Sequence, residues 1–296
     1  MSIEQAELRL PPAAAPPVPS ASPIADPPGR SKVVVRKPAS KWRSIGIDFA
    51  IGATLPVLIV ALWQWAAERG WTNPLFFPAP DVIAGAFSSL ISSGELFHHL
   101  GISVWRALIG FVVGGSIGLL LGLLSGLSRK AEYVLDPSLQ MLRTVPHLAI
   151  APLVLLWFGF GEQSKIVIIA LGAFFPLYVN TFMAIRNVDN KLFDVAKVLA
   201  FGRAKLLFRL VLPAALPGIL LGVRLSLALS WIGLVVAELI GSQSGVGFLI
   251  NLGKQTSATE DIFVGVIIFA IVGKLVDSLV RLLERKLLHW RESFEG

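Results

Sequence analysis

Residues 194–213 read DVAKVLAFGRAKLLFRLVLP and lie between two long apolar runs. Apolar residues recur here at helical spacing with lysine and arginine between them, which predicts amphipathic helix. The wider segment Arg186–Val211 holds six basic and two acidic residues, and so many charges exclude a membrane span. An amphipathic segment held at the membrane face by its neighbours is a candidate docking surface for another protein.

The composition of the whole chain is that of an integral membrane protein. Hydrophobic residues make up 54% and charged residues 15%, and the mean hydropathy is +0.72, far from a water-soluble domain. Several runs approach the roughly 20 residues that a helix needs to cross the hydrocarbon. We therefore predict an all-α, polytopic transmembrane domain over residues 45–292. Its six predicted spans are residues 49–67, 107–127, 140–160, 166–185, 215–239 and 262–283.

Lysine and arginine are concentrated in alternate loops, which predicts the orientation. The basic segments precede the first span, follow the second and fourth spans, and follow the sixth span. Both termini are therefore expected in the cytoplasm of a bacterium whose plasma, or inner, membrane holds the chain. The net charge of +7 then reflects topology and gives no reason to expect nucleic-acid binding.

The regions outside the predicted spans give three further expectations. Residues 1–44 are rich in proline and alanine and predict a disordered cytoplasmic tail. The sequence from Pro78 to Ile91 predicts a short amphipathic helix on the outer face. The chain has no cysteine, which excludes disulfides, thiolate metal sites and cysteine nucleophiles.

A ridge of glycines runs along the second predicted span. The glycines recur every four residues, at positions 110, 114, 118, 122 and 126, and small residues at this spacing let helix backbones approach closely. The ridge predicts tight packing within one subunit, with a contact between subunits as the alternative.

The basic segment itself predicts a helix, a turn and a second helix. Gly202 stands where the two helical pieces would meet, because glycine tolerates the backbone angles of such a turn. Pro213 is expected to restart the chain as it enters the fifth span.

At this point the sequence resembles the permease subunits of bacterial ABC importers, whose cytoplasmic EAA loop docks the ATPase. Asp194 takes the acidic place of that loop, Ala196 its second alanine, and Leu212-Pro213 its final pair. Ala200 stands where the family has glycine, while Gly202 comes two residues later. The turn is therefore expected about half a helical turn later than the family pattern implies.

The resemblance extends from about residue 49 to residue 290. Residues 143–166, 175–183, 212–226 and 237–249 look like the branch that handles sulfonates, taurine, nitrate and related anions. It implies the type I ABC importer permease fold, a second, identical permease subunit, two ATPase subunits and an external solute-binding protein. The residues it implies for ATPase coupling are Asp194, Ala196, Leu199, Ala200, Phe201, Gly202, Arg203, Leu206, Leu212 and Pro213.

The chain lacks the G-x-x-x-x-G-K-[ST] phosphate loop, so ATP and magnesium are expected on the partner ATPase. We predict a non-catalytic subunit with no cofactor or metal of its own. His147 is interpreted as a helix-start or packing residue, because no second ligand follows at helical spacing.

Polar groups inside the spans are candidates for the substrate path, because they are costly in hydrocarbon. Arg224 is expected either to attract an anion or to pair with Asp277, and Glu238 to lie at the outer mouth near the loop 241–248. For the uncharged groups, hydrogen bonding between helices is the alternative. The complete candidate set is Asn180, Thr181, Arg224, Ser226, Ser230, Trp231 and Glu238.

Two other classes of membrane protein compete with an ATP-driven importer. A secondary transporter or channel would need coupled ion sites and repeated, broken helices in both halves. A membrane-embedded enzyme would need a clustered nucleophile, metal or acid–base set. The sequence shows no clear repeat and no such cluster, so the importer is the favoured interpretation.

Overall fold

The computed structural model describes the backbone of residues 41–288 and the side chains of residues 52–288. Residues 1–40 of the predicted tail, and the end of the predicted domain at residue 292, lie outside this range. The chain divides into two compact units between Thr54 and Leu55, and the packing described below belongs to the second. Residues 41–288 contain helices and no β-strand.

Eleven α-helices are described between residues 41 and 288. Their bounds are α1 Lys41–Glu68, α2 Pro80–Ser92, α3 Glu95–Leu127, α4 Arg129–Arg143, α5 Ala151–Phe158, α6 Glu162–Arg186, α7 Asn190–Val198, α8 Arg203–Leu206, α9 Leu212–Gly241, α10 Val246–Thr256 and α11 Thr259–Leu287. A 3-10 turn, His147–Ile150, precedes α5, and a π-helical turn, Leu207–Val211, joins α8 to α9.

Four helical segments in the described part of the chain are long and apolar enough to cross a membrane. They are α3, α6, the continuous segment Arg203–Gly241 and α11, and the bent pair of α4 with His147–Phe158 could be a fifth. These contain the predicted second, fourth, fifth and sixth spans. The predicted first span, residues 49–67, lies within α1.

The predicted third span, residues 140–160, is wrong as a continuous helix. The chain bends by 80° between Arg143 and His147. Pro146 has a non-helical backbone with ψ near 115°, and a residue before proline, here Val145, disfavours the helical conformation. The span is therefore broken into α4 and α5.

Pro213 does not restart the chain, contrary to the expectation. The helix runs without interruption from Arg203 to Gly241, and the π-helical turn Leu207–Val211 comes just before the proline. Proline lacks the amide that an α-helix would use at this place, and a π turn changes the hydrogen-bond register locally. The basic segment is thus rigidly continuous with a spanning helix.

The glycine ridge packs α3 against α6, which confirms the prediction of packing within one subunit. A Cβ atom at Gly114 would overlap the carbonyl oxygen of Ala170, and one at Gly118 would overlap that of Phe174. One at Gly126 would lie 2.9 Å from the Cβ of Ile185. Glycine alone permits this approach along the helix pair, and α6 in turn packs extensively on α9.

Two side-chain contacts attach α4 to α6. Glu132 pairs with Arg186, and the Tyr178 hydroxyl donates to Asp136 Oδ1 at 2.9 Å. These contacts hold the bend after Arg143 next to the middle of α6.

The predicted short helix after Pro78 is present as α2. Its Ile83 is buried in a core cluster with Leu96 of α3, Val246 of α10 and Phe269 of α11. The segment thus packs on the helical bundle instead of standing apart from it.

Candidate functional site

The turn between α7 and α8 is built around Ala200. Phe201 N–H donates to Ala196 O at 2.9 Å and Ala200 N–H to Lys197 O at 3.0 Å, which is the Schellman pattern of a helix end. In that motif the residue after the C-cap takes a left-handed conformation, and Ala200 has φ of +49°.

The turn therefore lies at the glycine place of the family pattern, and the expectation of a later turn is wrong. Gly202 has φ of −68° and ψ of 163°, an extended backbone that any residue can adopt. The hydrogen bonds that close α7 end at the Phe201 amide, and they place the left-handed residue at Ala200, two residues before Gly202.

Several apolar side chains of the segment 194–213 are exposed in the described part of the chain. Val198 is 86% exposed, Leu199 58% and Phe208 66%. Beside them lies a groove of about 500 Å³, lined by α7, by Phe201 and by the beginning of α9. Apolar side chains exposed on a segment too charged to lie in lipid mark a protein-interaction surface.

The ten predicted coupling residues are close together but differ in exposure. Ala196 is buried, and Leu206 and Leu212 are half-buried beneath the surface. Asp194 forms an exposed ion pair with Lys197 at 3.0 Å, and the Lys205 ammonium lies 4.3 Å from the centre of the Phe201 ring. The exposed members are Asp194, Leu199, Ala200, Gly202, Arg203 and Pro213.

Most of the predicted path residues make contacts between helices. Ser226 donates to Ala173 O at 2.7 Å, Ser230 to Ile169 O at 3.4 Å and Trp231 Nε1 to Phe269 O at 3.0 Å. Thr181 is fully buried against Gly122. The structure does not bring these four side chains to one cavity.

Arg224 pairs with Asp277, which was one of its two predicted roles. The Nε–Oδ1 distance is 2.9 Å, and Arg281 Nε contacts the other carboxylate oxygen at 2.9 Å. Asp277 thus joins α9 to α11 and holds two arginines at once.

Glu238 is fully buried in a charged network near the predicted outer end of α9. Arg106 of α3 donates to Glu238 Oε1 at 2.8 Å and contacts Glu162 of α6 at 2.5 Å. Ser103 donates to Glu238, as does the backbone amide of Gly247 at 2.9 Å. The predicted proximity of Glu238 to the loop 241–248 is confirmed, and the side chain joins helices instead of lining an open mouth.

The predicted second span begins at residue 107 and leaves Arg106 outside it, whereas the structure places Arg106 inside α3. The residue is only 1% exposed, and its partners are 56 and 132 positions away in the chain. A helical pattern continued upstream of residue 107 would have placed Arg106 inside α3. The pairing itself depends on how three helices pack.

A cavity lies where the bend after α4 meets α6 and α9, and Asn180 is the one path candidate that lines it. Its volume is about 420 Å³, and Arg143, His147 and Phe175 also line it. The Asn180 side-chain amide donates to Pro176 O, one turn earlier in α6, at 2.8 Å. We call this space the central cavity.

Comparison with known proteins places the chain in a family. Residues 114–289 match the family described as binding-protein-dependent transport system inner membrane component. A Bacillus subtilis (strain 168) protein named as an aliphatic sulfonates transport permease, SsuC, is 58% identical over 245 residues, or 83% of this chain and 89% of that protein.

Two Escherichia coli (strain K12) proteins and one solved structure are also similar. The protein named as the aliphatic sulfonates transport permease SsuC is 49% identical, covering 81% of this chain and 91% of its own length. The taurine transport system permease protein TauC is 33% identical, with coverage of 84% and 93%. A crystallised amino acid ABC transporter with histidines has a TM-score of 0.57 at 16% identity, over 67% of this chain and 97% of that chain. This last likeness shows the fold alone.

The helical fold and these matches agree with one another. The chain belongs to the family of binding-protein-dependent transport system inner membrane components, the non-catalytic permease subunits of ABC importers, which work with ATPase subunits and a solute-binding protein.

Proposed function

We propose that this permease imports a small anionic solute of the aliphatic sulfonate class. The substrate class is supported by the names of the relatives that match most of the chain. We further propose that two identical permease subunits pair, that each carries one ATPase subunit, and that both termini face the cytoplasm. The basic segments flanking alternate spans support this orientation.

The ATPase is proposed to dock on the segment 194–213. The observation that carries this proposal is the exposed apolar surface around Leu199, attached at one end to α6 and continuous at the other with α9. A segment fixed at both ends to spanning helices moves with them as a rigid body. Movement of the ATPase can thereby reach the transport path.

The proposed contact has an apolar centre and a charged rim. Leu199 and the half-buried Leu206 lie towards the centre, while Asp194 and Arg203 are exposed at the edge. Fully desolvated apolar contacts at an interface centre contribute most of the affinity, and the rim contributes orientation.

Of the seven proposed path residues we retain Asn180 as a lining residue. The other six, Thr181, Arg224, Ser226, Ser230, Trp231 and Glu238, are assigned to holding the helices together. Five of them contact protein groups at hydrogen-bond distance. Thr181 packs against Gly122, and its buried hydroxyl has no hydrogen-bond partner in the described part of the chain.

The docking proposal is tested with Leu199→Asp. Leu199 is 58% exposed, so the change leaves the fold intact but places a charge in the apolar centre. We expect that the ATPase no longer co-purifies with the Leu199→Asp permease from membranes. The matched control is Leu287→Asp, at the exposed end of α11 (45% exposed), which should retain the ATPase. Retention by both variants would refute the docking surface.

A further inference from the structure

The central cavity holds positive charge that no nearby carboxylate balances. Arg143 and His147 lie at the bend, Asn180 lies on α6, and none of the residues described as lining the cavity is acidic. The other walls are mostly apolar and include Phe175, Val179 and Leu229.

The cavity lies near the middle of the spanning helices. Its lining on α6 runs from Leu171 to Asn180, about 14 to 27 Å from the start of that helix at ~1.5 Å per residue. On α9 its lining runs from Leu225 to Leu229, close to the midpoint of the helix Leu212–Gly241. A charge at this depth is costly without a counter-charge or water.

Arg143 lies beside the central cavity because it is on the same face of α4 as the residues that attach this helix to α6. Glu132, Asp136 and Arg143 lie within about 40° of one another around the helix axis. The Glu132 carboxylate pairs with Arg186, and Asp136 accepts hydrogen bonds from Tyr178 and from Gln140. Both carboxylates therefore already have partners on or next to α6.

Within residues 52–288, Arg143 has no hydrogen-bond or ion-pair partner. Three arginines inside α3, α9 and α11 do have partners: Arg106 pairs with Glu162 and Glu238, and Arg224 and Arg281 pair with Asp277. Arg143, which is exposed in the described part of the chain, is thus an unpaired cation on the wall of the central cavity and is available to a ligand.

His147 provides a second unsatisfied group on the same cavity wall. Its Nε2 atom is buried and has no hydrogen-bond partner in the described part of the chain. Leaving a buried polar atom unpaired is costly. In the tautomer protonated at Nε2, the ring can donate a hydrogen bond to an anion held by Arg143.

We propose that Arg143 and His147 bind the anionic head group of the transported solute in the central cavity. The alkyl part of the solute lies against Phe175, Val179 and Leu229. A guanidinium matches the planar spacing of oxoanion oxygens, and apolar walls suit a short alkyl chain. The inference rests on the proposed function and identifies the ligand class as alkyl monoanions such as sulfonates.

The test measures ATP-driven uptake of radiolabelled ethanesulfonate by vesicles that contain the complete importer with its ATPase and binding protein. We expect Arg143→Gln to lower uptake about tenfold or more, the usual loss for a hydrogen bond to a charged group. Arg143→Lys should retain more uptake than Arg143→Gln but less than the wild type, since lysine keeps the charge and loses the planar pair of donors. Arg129→Gln, at the far end of α4 and outside the cavity, is the matched control and should transport like the wild type.

Two further measurements separate the possible failures. ATPase co-purification shows whether Arg143→Gln assembles. If it does not, His147→Phe replaces it, because this change keeps an aromatic ring and removes the hydrogen-bond donor; reduced uptake is expected. Wild-type uptake by an assembled Arg143→Gln, or by His147→Phe in its place, would overturn the anion site while leaving the proposed function intact. Absence of ethanesulfonate uptake by the wild-type importer would instead overturn the proposed substrate class, and with it the inference.

Discussion

At the residue scale, Ala200 is the strained position of the docking segment. A left-handed conformation costs a residue with a Cβ roughly 1–2 kcal/mol, and glycine adopts it without this cost. We expect Ala200→Gly to stabilise the end of α7 by about 1 kcal/mol, which slows hydrogen exchange of the Phe201 amide about fivefold.

Gly202→Ala is the control for this prediction. A Cβ at Gly202 meets nothing within 4 Å and its backbone is extended, so exchange at Phe201 should be unchanged. Faster exchange in Ala200→Gly would contradict the assignment of the turn to residue 200.

The buried charges Arg106 and Glu238 are expected to respond unequally to neutralisation. Arg106→Gln leaves Glu238 buried without a cation, which should lower the free energy of unfolding by about 3–5 kcal/mol. Glu238→Gln should cost less, because Arg106 retains Glu162 at 2.5 Å. Unfolding of the detergent-purified protein in a denaturant series measures both values.

The double variant provides the check on this account. Because the two residues contact each other, the combined loss should be smaller than the sum of the single losses. Additive losses, or a greater loss from Glu238→Gln than from Arg106→Gln, would contradict the pairing.

These residues show which features of single positions a sequence can predict. The acidic place at Asp194 and the final Leu212-Pro213 were recognisable from the resemblance to the family's loop pattern. The conformation of Ala200 was not, because it depends on where the hydrogen bonds of α7 end, and the sequence offered a more obvious glycine at position 202. The partners of Arg106 were not recognisable because they are far away in the chain.

At the scale of helices, the glycine ridge sets the distance between α3 and α6. A Cβ at Gly114 would overlap the Ala170 carbonyl oxygen, so Gly114→Ala should separate the helices and cost about 1–3 kcal/mol of overpacking strain. Thermal unfolding of the purified importer measures the loss as a lower midpoint.

Gly101→Ala, on the same helix, is the matched control. Nothing lies within 4 Å of a Cβ at that position, and alanine has a higher helix propensity than glycine by up to about 1 kcal/mol. The control should therefore match or exceed the wild-type midpoint. Equal destabilisation by both changes would show that close packing is not the reason for Gly114.

The helices also show which features of the fold can be predicted from hydropathy and from the positions of proline and glycine. Charge-free runs predicted the spans within α3 and α6, and apolar runs interrupted by a few charges predicted those within α9 and α11, because lipid imposes length and apolarity directly. They did not predict the bend at Pro146, because the apolar run continues through it and only the backbone geometry reveals the break. They likewise missed the central cavity, which exists because of that bend.

For the whole molecule, the distribution of basic residues predicts a definite orientation. The chain has no cysteine, so single cysteines can be introduced without removing native ones. In right-side-out vesicles, Ser93→Cys before α3 should react with an impermeant maleimide, and Lys191→Cys in α7 should react only after permeabilisation. Both positions are exposed, so the reverse pattern would contradict the topology.

This chain forms the membrane path of an ATP-driven importer and does not itself supply the energy for transport. In this interpretation the ATPase binds the docking surface, the packed helices transmit its movement, and the central cavity holds the solute. These roles act together only if a partner supplies the energy. A self-contained secondary transporter or channel would carry solute without that partner.

The most direct test is uptake of labelled ethanesulfonate into proteoliposomes that contain this chain and its ATPase, with ATP inside and the binding protein outside. We predict accumulation only when ATPase, ATP and binding protein are all present. Accumulation by vesicles that contain this chain without the ATPase would contradict the account.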